Sequence, residues 1–185
     1  MTGERMVGRL LVASPSLEDP NFTRTVILLL AHSDEGALGI VLNRPSPADV
    51  AEILPQWKPF AADPTRVFLG GPVSPRSVIC LAAPASDARP AGIDDTVAGL
   101  VSVDLARDPD EIGGAVARLR LFSGYAGWSG GQLEGEMEQG GWILTDPAPG
   151  DLFYDDPDEL WAAVLTRMGG LRARYAKAPP KLSLN

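Results

Sequence analysis

One stretch of this 185-residue chain says most about its fold, and it reads Gly124-Tyr125-Ala126-Gly127-Trp128-Ser129-Gly130-Gly131-Gln132-Leu133-Glu134. It follows residues 117–121, where apolar residues alternate with arginines in the two-residue period of a strand with one solvent-facing side. Within and just after it, Leu133 and Met137 lie one helical turn apart. We therefore predict a glycine-rich connection between a strand and a short helix, with Ser129 as the capping residue of that helix.

The same stretch contains Gly127-Trp128-Ser129-Gly130-Gly131, which matches the G-x-S-x-G motif of a nucleophile elbow. That motif requires a strand before it and a helix after it, as predicted here. His32 is the only histidine of the chain and could serve as the general base for Ser129. Alternatively, Ser129 only caps the helix and His32 only forms a hydrogen bond at the end of a strand.

The composition narrows the class of protein. Apolar residues make up 45% of the chain and charged residues 22%, which is typical of one globular domain. One cysteine and one histidine exclude an internal disulfide framework and a Cys/His zinc site. We predict a single domain over residues 1–185 with a mobile, proline-rich tail after about residue 176, and we predict no metal and no cofactor.

The net charge and the distribution of apolar residues indicate which partners the protein can bind and where in the cell it is located. The net charge is −8 and the isoelectric point is near 4.6, so the overall field repels the phosphates of a nucleic acid. The N-terminal residues lack the apolar region of a signal peptide. The longest apolar run, residues 26–31, is far shorter than the roughly 20 residues that span a bilayer. These features predict a cytoplasmic protein that associates with neither membrane nor nucleic acid directly.

Local patterns predict several short elements. Runs rich in β-branched and other apolar residues predict strands at residues 10–13, 25–32, 39–42, 67–69, 78–81, 100–103, 117–121 and 142–145. A capping residue followed by proline predicts helix starts at Ser46, Asp108 and Asp156. Three prolines within residues 55–64 predict a loop there.

Three further features have both a functional and a structural interpretation. Gly70-Gly71-Pro72 could offer backbone N–H groups to an anion, although no P-loop lysine follows it. Tyr125, Trp128 and Trp142 either line a hydrophobic groove or pack against glycine backbone. The third feature is a set of acidic residues that could hold a hard cation but lacks EF-hand spacing. This set comprises Asp151, Asp155, Asp156, Asp158 and Glu159.

Four stretches follow one another along the chain in a recognisable order: residues 11–22 (LVASPSLEDPNF), residues 32–44 (HSDEGALGIVLNR), residues 68–73 (FLGGPV) and residues 124–134. Together they resemble the YqgE/AlgH family, whose GYAGW-x-x-GQLE motif is close to the last of them. The resemblance covers nearly the whole chain. Family members commonly have glycine where this chain has Ser129, which argues against a catalytic nucleophile at that position.

The resemblance implies an α+β fold, a single compact domain of coiled, branching, mainly antiparallel β-sheets flanked by a few short helices. Some family members are labelled putative transcriptional regulators, so the resemblance suggests a regulatory role. Because no DNA-reading helix is recognised in the fold and the net charge is negative, we expect regulation to act through an unknown protein or small-molecule partner.

The polar and glycine-rich residues of these stretches exceed what a core alone requires. We therefore predict a non-catalytic binding site, with no catalytic residue and no metal ligand. The alternative is a small serine hydrolase that uses Ser129 with His32. The predicted binding residues are Asn43, Arg44, Gly70, Gly71, Pro72, Tyr125, Gly127, Trp128 and Gln132.

Overall fold

A computed structural model describes residues 6–180. Within this range the chain forms ten strands: β1 (Leu10–Ala13), β2 (Val26–Ser33), β3 (Gly36–Val41), β4 (Pro45–Asp49), β5 (Arg66–Leu69), β6 (Val73–Pro84), β7 (Ile93–Asp95), β8 (Val101–Val103), β9 (Val116–Ser129) and β10 (Trp142–Thr145). The α-helices of the same range are α1 (Val50–Ile53), α2 (Pro109–Ile112), α3 (Gln132–Glu138), α4 (Pro157–Met168) and α5 (Gly170–Tyr175). Short 3₁₀-helices occupy Pro55–Phe60, Gly113–Ala115 and Asp151–Phe153.

Strand β9 joins the two halves of the fold. Along one edge it pairs first with β5, in parallel, and then near its C-terminal end with β3, antiparallel. Its other edge pairs antiparallel with β6 over most of its length. The sheet continues through β3, β2, β1 and β10 on one edge of β9 and through β6, β8 and β7 on the other edge. This branched, mainly antiparallel sheet with short helices confirms the predicted α+β fold class.

The amphipathic helix α4 covers one side of the branched sheet. Its apolar residues Leu160, Trp161, Val164 and Leu165 are buried against side chains of β1, β2 and β9. The Trp161 indole N–H also donates to the main-chain oxygen of Ala13 at 2.8 Å. The helix therefore begins where the Asp-Pro pattern predicted and is held by the burial of its apolar face.

The helix predicted from Ser46 begins later than expected. Residues Pro45–Asp49 form strand β4, which pairs with β5, and the N-cap is Asp49, whose carboxylate accepts the Ala51 N–H at 2.8 Å. The Ser46 hydroxyl instead accepts the Ala48 N–H within the strand. Both residues have capping chemistry, but strand pairing with β5 determines which of them is the cap.

The proline-rich segment predicted as a loop contains the 3₁₀-helix Pro55–Phe60. This helix buries Trp57 completely, and its ring lies 5.6 Å from the ring of Phe60. The Trp57 indole N–H donates to the main-chain oxygen of Leu105 at 3.3 Å. Burial of a large aromatic side chain thus stabilises a short helix for which the local sequence gives no periodic signal.

Part of the predicted tail is described. The main-chain oxygen of Ala178 accepts a hydrogen bond from the Arg24 guanidinium, which also lies 4.6 Å from the Trp161 ring centroid. Residues 181–185, where the tail prediction continues, lie outside the described residues, as do residues 1–5. None of the helices in residues 6–180 is long and apolar enough to cross a membrane.

Candidate functional site

The turn Gly70-Gly71-Pro72 crosses over strand β9. It connects β5 and β6, which pair with the same residues of β9 along its opposite edges, so the connection has to pass across the strand. A Cβ on Gly70 would lie within 3.0 Å of the Gly124 main-chain oxygen, and a Cβ on Gly71 would lie within 3.0 Å of the Tyr125 carbonyl group. These glycines are required because the two backbones touch.

The predicted anion-binding function of this turn is not supported at Gly70. Its N–H donates to the main-chain oxygen of Ser123 at 2.8 Å, and its own oxygen accepts the Val41 N–H at 2.9 Å. The Gly70 peptide groups therefore stabilise the crossing itself and are not free for a ligand.

Asn43 and Arg44 hold the loop that precedes β2. The buried Asn43 side chain accepts the Val26 N–H at 3.0 Å and donates to the Arg24 oxygen at 2.9 Å. The Arg44 guanidinium donates to three main-chain oxygens of residues 20–23, at 2.6 to 3.0 Å. Partial burial lowers the pKa of Arg44 from its ordinary value. The structure thus gives both polar side chains partners within the fold.

The predicted binding residues fall into two groups. The Arg44 main-chain oxygen accepts the Leu69 N–H at 2.7 Å, which places residues 43–44 beside the crossing turn. Tyr125 pairs with Val73 just after this turn, so it belongs to the same group. Trp128 and Gln132 lie further along β9 and α3, on the β3 side, and Gly127 lies between the two groups opposite Leu38.

An exposed apolar surface surrounds the crossing turn. Leu69 and Val78 pair with Ser123 from the two edges of β9, so their side chains project from the same face of the sheet. Their exposed fractions are 48% and 43%, and that of Val73 is 36%. We call this surface the turn surface and define it by Leu69, Pro72, Val73, Pro75 and Val78, all of which are exposed.

Residues 74–77 bulge away from β9 at the centre of the turn surface. Pairing with β9 stops after Val73 and resumes at Val78. Ser74 has a positive φ of 47°, and the Pro75 oxygen accepts a hydrogen bond from the Ser123 hydroxyl. A bulge of this kind ends strand pairing locally and presents side chains to solvent.

The second group surrounds an aromatic cluster. Phe22 lies 6.2 Å from Trp128 and 5.7 Å from Trp142, measured between ring centroids, and the two tryptophans are 6.0 Å apart. Both tryptophans are buried. Trp128 and Trp142 therefore pack mainly against each other and against Phe22, and only small parts of the two side chains reach the protein surface.

Glu136 is the polar centre of this cluster, and sequence reasoning missed it. Its Oε2 accepts the indole N–H groups of Trp128 at 3.0 Å and Trp142 at 2.8 Å, while its Oε1 accepts the Gln132 amide at 3.0 Å. The spacing of Gln132 and Glu136 could have indicated their contact, because residues four apart on a predicted helix face the same side. The tryptophan partners could not be found from spacing.

Replacement of Glu136 by glutamine should lower the free energy of unfolding by about 1 to 2 kcal/mol. The NH₂ group of the glutamine would face one of the N–H groups that donate to the carboxylate of Glu136. The other hydrogen bonds would weaken because their acceptor would no longer be charged. Urea unfolding followed by tryptophan fluorescence measures this. Glu138→Gln is the matched control, since Glu138 is exposed on the same helix. Equal midpoints for the two variants would contradict a structural role for Glu136.

Ser129 and His32 have other hydrogen-bond partners. The Ser129 hydroxyl lies 3.2 Å from Gln132 Oε1, which also accepts the Ser129 N–H at 3.0 Å. His32 Nε2 lies 2.5 Å from Glu134 Oε1. The N-cap of α3 is Gly131, so the prediction that Ser129 caps the helix is wrong. Strand pairing of Ser129 with Gly36 extends β9 up to this residue and moves the helix start beyond it.

Among the acidic residues considered as cation ligands, Asp151 has structural partners. Asp151 is buried, and its two oxygens accept hydrogen bonds from Arg167 at 2.9 Å each. This pairing, above all the hydrogen bond, raises the pKa of Arg167. Within residues 6–180, no group of three or more histidine, cysteine or acidic side chains is arranged to hold a metal ion.

The architecture built around β9 also occurs in solved structures. A crystal structure of a protein from Corynebacterium diphtheriae matches with a TM-score of 0.86 and 33% identity, over 92% of this chain and 91% of the other. The solution structure of the AlgH protein from Pseudomonas aeruginosa matches with a TM-score of 0.66 and 32% identity, over 93% and 94% of the two chains. The fold thus defines an AlgH-like α+β protein.

The family model described as AlgH-like matches residues 10–173. This chain belongs to the AlgH-like family. A UPF0301 protein of Streptomyces coelicolor is 45% identical over 184 residues, covering 97% of this chain and 95% of the relative. A UPF0301 protein of Mycobacterium tuberculosis is 43% identical over 181 residues, covering 96% and 90% respectively. The predicted family is therefore confirmed.

Proposed function

We propose that this protein is a non-catalytic, cytoplasmic binding protein with a regulatory role, which acts through a protein partner docked on the turn surface. The observation that carries the proposal is the exposed apolar face of Leu69, Val73 and Val78 beside the crossing turn. Clusters of exposed apolar side chains on a soluble domain mark interaction sites more often than single exposed residues do. This surface lies next to the predicted binding residues around Gly70 and Tyr125.

The chemistry of the turn surface suggests the kind of partner. Arg76 lies at the centre of the exposed bulge, and it forms no ion pair with a described carboxylate. An exposed guanidinium beside apolar side chains favours an apolar segment that carries an acidic residue. The rigid crossing beneath the bulge reduces the cost of ordering this surface on binding.

Two other functions receive less support. A serine hydrolase needs its base within hydrogen-bond reach of the nucleophile, whereas His32 is bonded to Glu134 and Ser129 to Gln132. Direct regulation at DNA needs cationic side chains facing phosphates, and the net charge of −8 opposes it. A regulatory role therefore fits best with a protein partner.

The test is a double substitution, Leu69→Glu with Val78→Glu, compared with the native protein and with Ile53→Glu. Ile53 is 50% exposed on helix α1 and serves as the matched control for an added surface carboxylate. Each protein is used as bait in a lysate of its own cells, and a captured partner is then purified and titrated. We expect the double variant to weaken binding at least about tenfold and the control to leave it unchanged.

Hydrogen exchange of the reconstituted complex locates the contact. Protection of residues 69–78 on binding is the expected result. Equal partner affinity for all three proteins, or protection confined to another face, would show that the turn surface is not the docking site. Labelling of the native protein by a fluorophosphonate, with loss of labelling in Ser129→Ala, would instead support the hydrolase.

A further inference from the structure

Strand β10 forms one end of the branched sheet and has an unpaired edge. One edge pairs with β1, and within residues 6–180 no strand pairs with the other. The Ser14 N–H donates to the Gly141 oxygen at 2.9 Å, which fixes the alternation of hydrogen bonds along this pair. The main-chain N–H and C=O groups of Trp142 and Leu144 therefore point away from β1. Among the described residues, none forms a hydrogen bond with these groups.

The unpaired edge of β10 lacks the residues that protect other edges of the sheet. Strand β7, at the opposite end, carries the exposed Asp94 and Asp95, and the edge strand β4 contains Pro45 and Pro47. Charges and prolines of this kind oppose the pairing of a further strand. The sequence of β10 is Trp-Ile-Leu-Thr and contains neither. Its edge is therefore suited to strand addition.

An open depression of about 660 Å³ lies beside this edge, and we call it the β10 groove. It is bordered by Trp142 and Ile143 of β10 and by Met168, Leu171 and Tyr175 of helices α4 and α5. Leu171 is 61% exposed, and Ile143, Met168 and Tyr175 are partly buried. Ile143 packs on the face of the sheet that these helices cover, whereas Trp142 packs on the other face. Because Trp142 still borders the groove, the edge of β10 opens into it.

The α5 side of the β10 groove is basic. Arg172 borders the groove, and Arg174 and Lys177 follow it in the chain. All three are exposed, and none of them forms an ion pair with a described carboxylate. Residues 160–180 contain no aspartate or glutamate. In a chain with a net charge of −8, this local positive charge favours an acidic ligand.

We propose that an extended acidic segment of a partner protein adds to β10 as an antiparallel strand. Main-chain hydrogen bonds to Trp142 and Leu144 hold the segment, and the residue opposite Ile143 places an apolar side chain in the β10 groove. Residues two positions away along the segment project from the same face. An aspartate or glutamate at such a position is placed on the side of Arg172.

A second copy of this chain suits the same edge less well. Pairing of two β10 edges about a two-fold axis would place both α5 helices on the same face of the joined sheet. The cations of Arg172, Arg174 and Lys177 would then lie on both sides of the contact and repel each other. The charge distribution therefore favours an acidic segment.

The probe is the peptide acetyl-Thr-Asp-Thr-Leu-Thr-Asp-Thr-amide, titrated into the full chain and followed by amide NMR. We expect the amide signals of Trp142 and Leu144 to shift and to exchange more slowly with solvent. N-methylation of the third and fifth peptide residues removes the N–H donors that would face β10 and should weaken binding at least about tenfold. No binding of the first peptide by the folded native protein, or equal binding of the methylated one, would overturn the proposal.

Three variants locate the contact. Leu144→Pro removes the outward N–H and keeps the hydrogen bonds to β1, so it should weaken the peptide at least about tenfold, with folding checked by the dispersion of the amide spectrum. Arg172→Gln should weaken the peptide about three- to fivefold. Arg174→Gln is the charge-matched control and should leave binding unchanged, since Arg174 does not border the groove. Equal losses in the two arginine variants would contradict the contact at Arg172.

Two other results would assign the edge or the peptide differently. Self-association of the native chain that Leu144→Pro abolishes, measured by sedimentation, would assign the edge to a second copy and overturn the proposal. Loss of peptide binding in the variant Leu69→Glu with Val78→Glu would place the peptide on the turn surface and would also overturn it. Strands β1, β2 and β3 separate β10 from β9, so failure of the turn-surface proposal leaves the expected results at β10 unchanged.

Discussion

Substitution of Gly71 by alanine is expected to cost about 3 to 5 kcal/mol of the free energy of unfolding, or to prevent folding altogether. Its Cβ would lie within 3.0 Å of the Tyr125 carbonyl carbon and oxygen and of the Ala126 nitrogen. These are backbone atoms of the central strand and cannot move aside as a flexible side chain can. Gly71 also has a φ of 153°, which L residues rarely adopt.

Gly135→Ala is the matched control for this prediction. Gly135 lies inside helix α3, and a Cβ there would meet nothing within 4 Å. Alanine is the better helix former, so this variant should gain about 0.5 to 1 kcal/mol. Thermal and urea unfolding of both variants supply the comparison. A Gly71→Ala protein as stable as the native one would show that the crossing turn does not contact β9 closely.

Replacement of Arg120 by methionine is expected to lower the free energy of unfolding by about 3 kcal/mol. This arginine is buried on β9, and its guanidinium donates to the main-chain oxygens of Asp63 at 2.5 Å and Leu152 at 3.0 Å. It also lies 4.2 Å from the ring centroid of Phe68. Methionine fills similar space but leaves these carbonyl groups without a donor.

The charge of Arg120 is itself costly. Burial, followed by the nearby charge of Arg118, lowers its pKa to about 10. A folded-state pKa below the unfolded one means that carrying the proton disfavours the folded state, an effect that fades as the pH rises above about 10. If this cost exceeded the value of the hydrogen bonds, Arg120→Met would be stabilising, and that result would contradict our expectation.

Arg118→Met provides the control for Arg120→Met. Arg118 stands two residues earlier on the same strand and also lies over a phenylalanine ring, but it is exposed. Its replacement should change the free energy of unfolding by less than about 1 kcal/mol. Urea denaturation at neutral pH distinguishes the two variants. Similar losses for both would mean that stacking on the rings, rather than the buried hydrogen bonds, provides the stabilisation.

Local chemistry predicted several elements of this fold correctly. Asp108 caps α2 by accepting the Asp110 N–H at 2.9 Å, with Pro109 in the first turn, as the sequence pattern indicates. Helix α4 begins at Pro157 and carries its apolar residues at helical spacing. These signals are reliable because the interacting groups lie within one helical turn of each other.

The local sequence pattern predicted only part of strand β9. The alternating pattern predicted a strand over residues 117–121, but the strand continues to Ser129 through the glycine-rich stretch. Pairing with β3 and β6 provides the hydrogen bonds that keep these glycines extended. A glycine carries no side-chain signal for strand formation, so the extension could not be seen from the residues alone.

The candidate site was likewise predicted only in part from the sequence. The sequence singled out Gly70, Gly71 and Tyr125, and the turn surface is built around them. It did not indicate that Leu69 and Val78, nine residues apart, flank one residue of β9 from its two edges. Nor did it show that Asn43 and Arg44 have their hydrogen-bonding groups bound within the fold. The exposure of a side chain and its hydrogen-bond partners depend on segments that are far apart in the chain.

The sequence by itself determined the family and the helix starts at Asp108 and Asp156, and it singled out Gly70 and Gly71. The tertiary structure alone decided which backbones cross at those glycines, which indole N–H groups donate to Glu136, and which main-chain oxygens accept hydrogen bonds from Arg120. The physical reason is the separation of the interacting residues along the sequence. Helix capping and side-chain periodicity involve residues within one or two helical turns of each other. Arg120 and Asp63, by contrast, are 57 residues apart and meet only because the branched sheet brings them together.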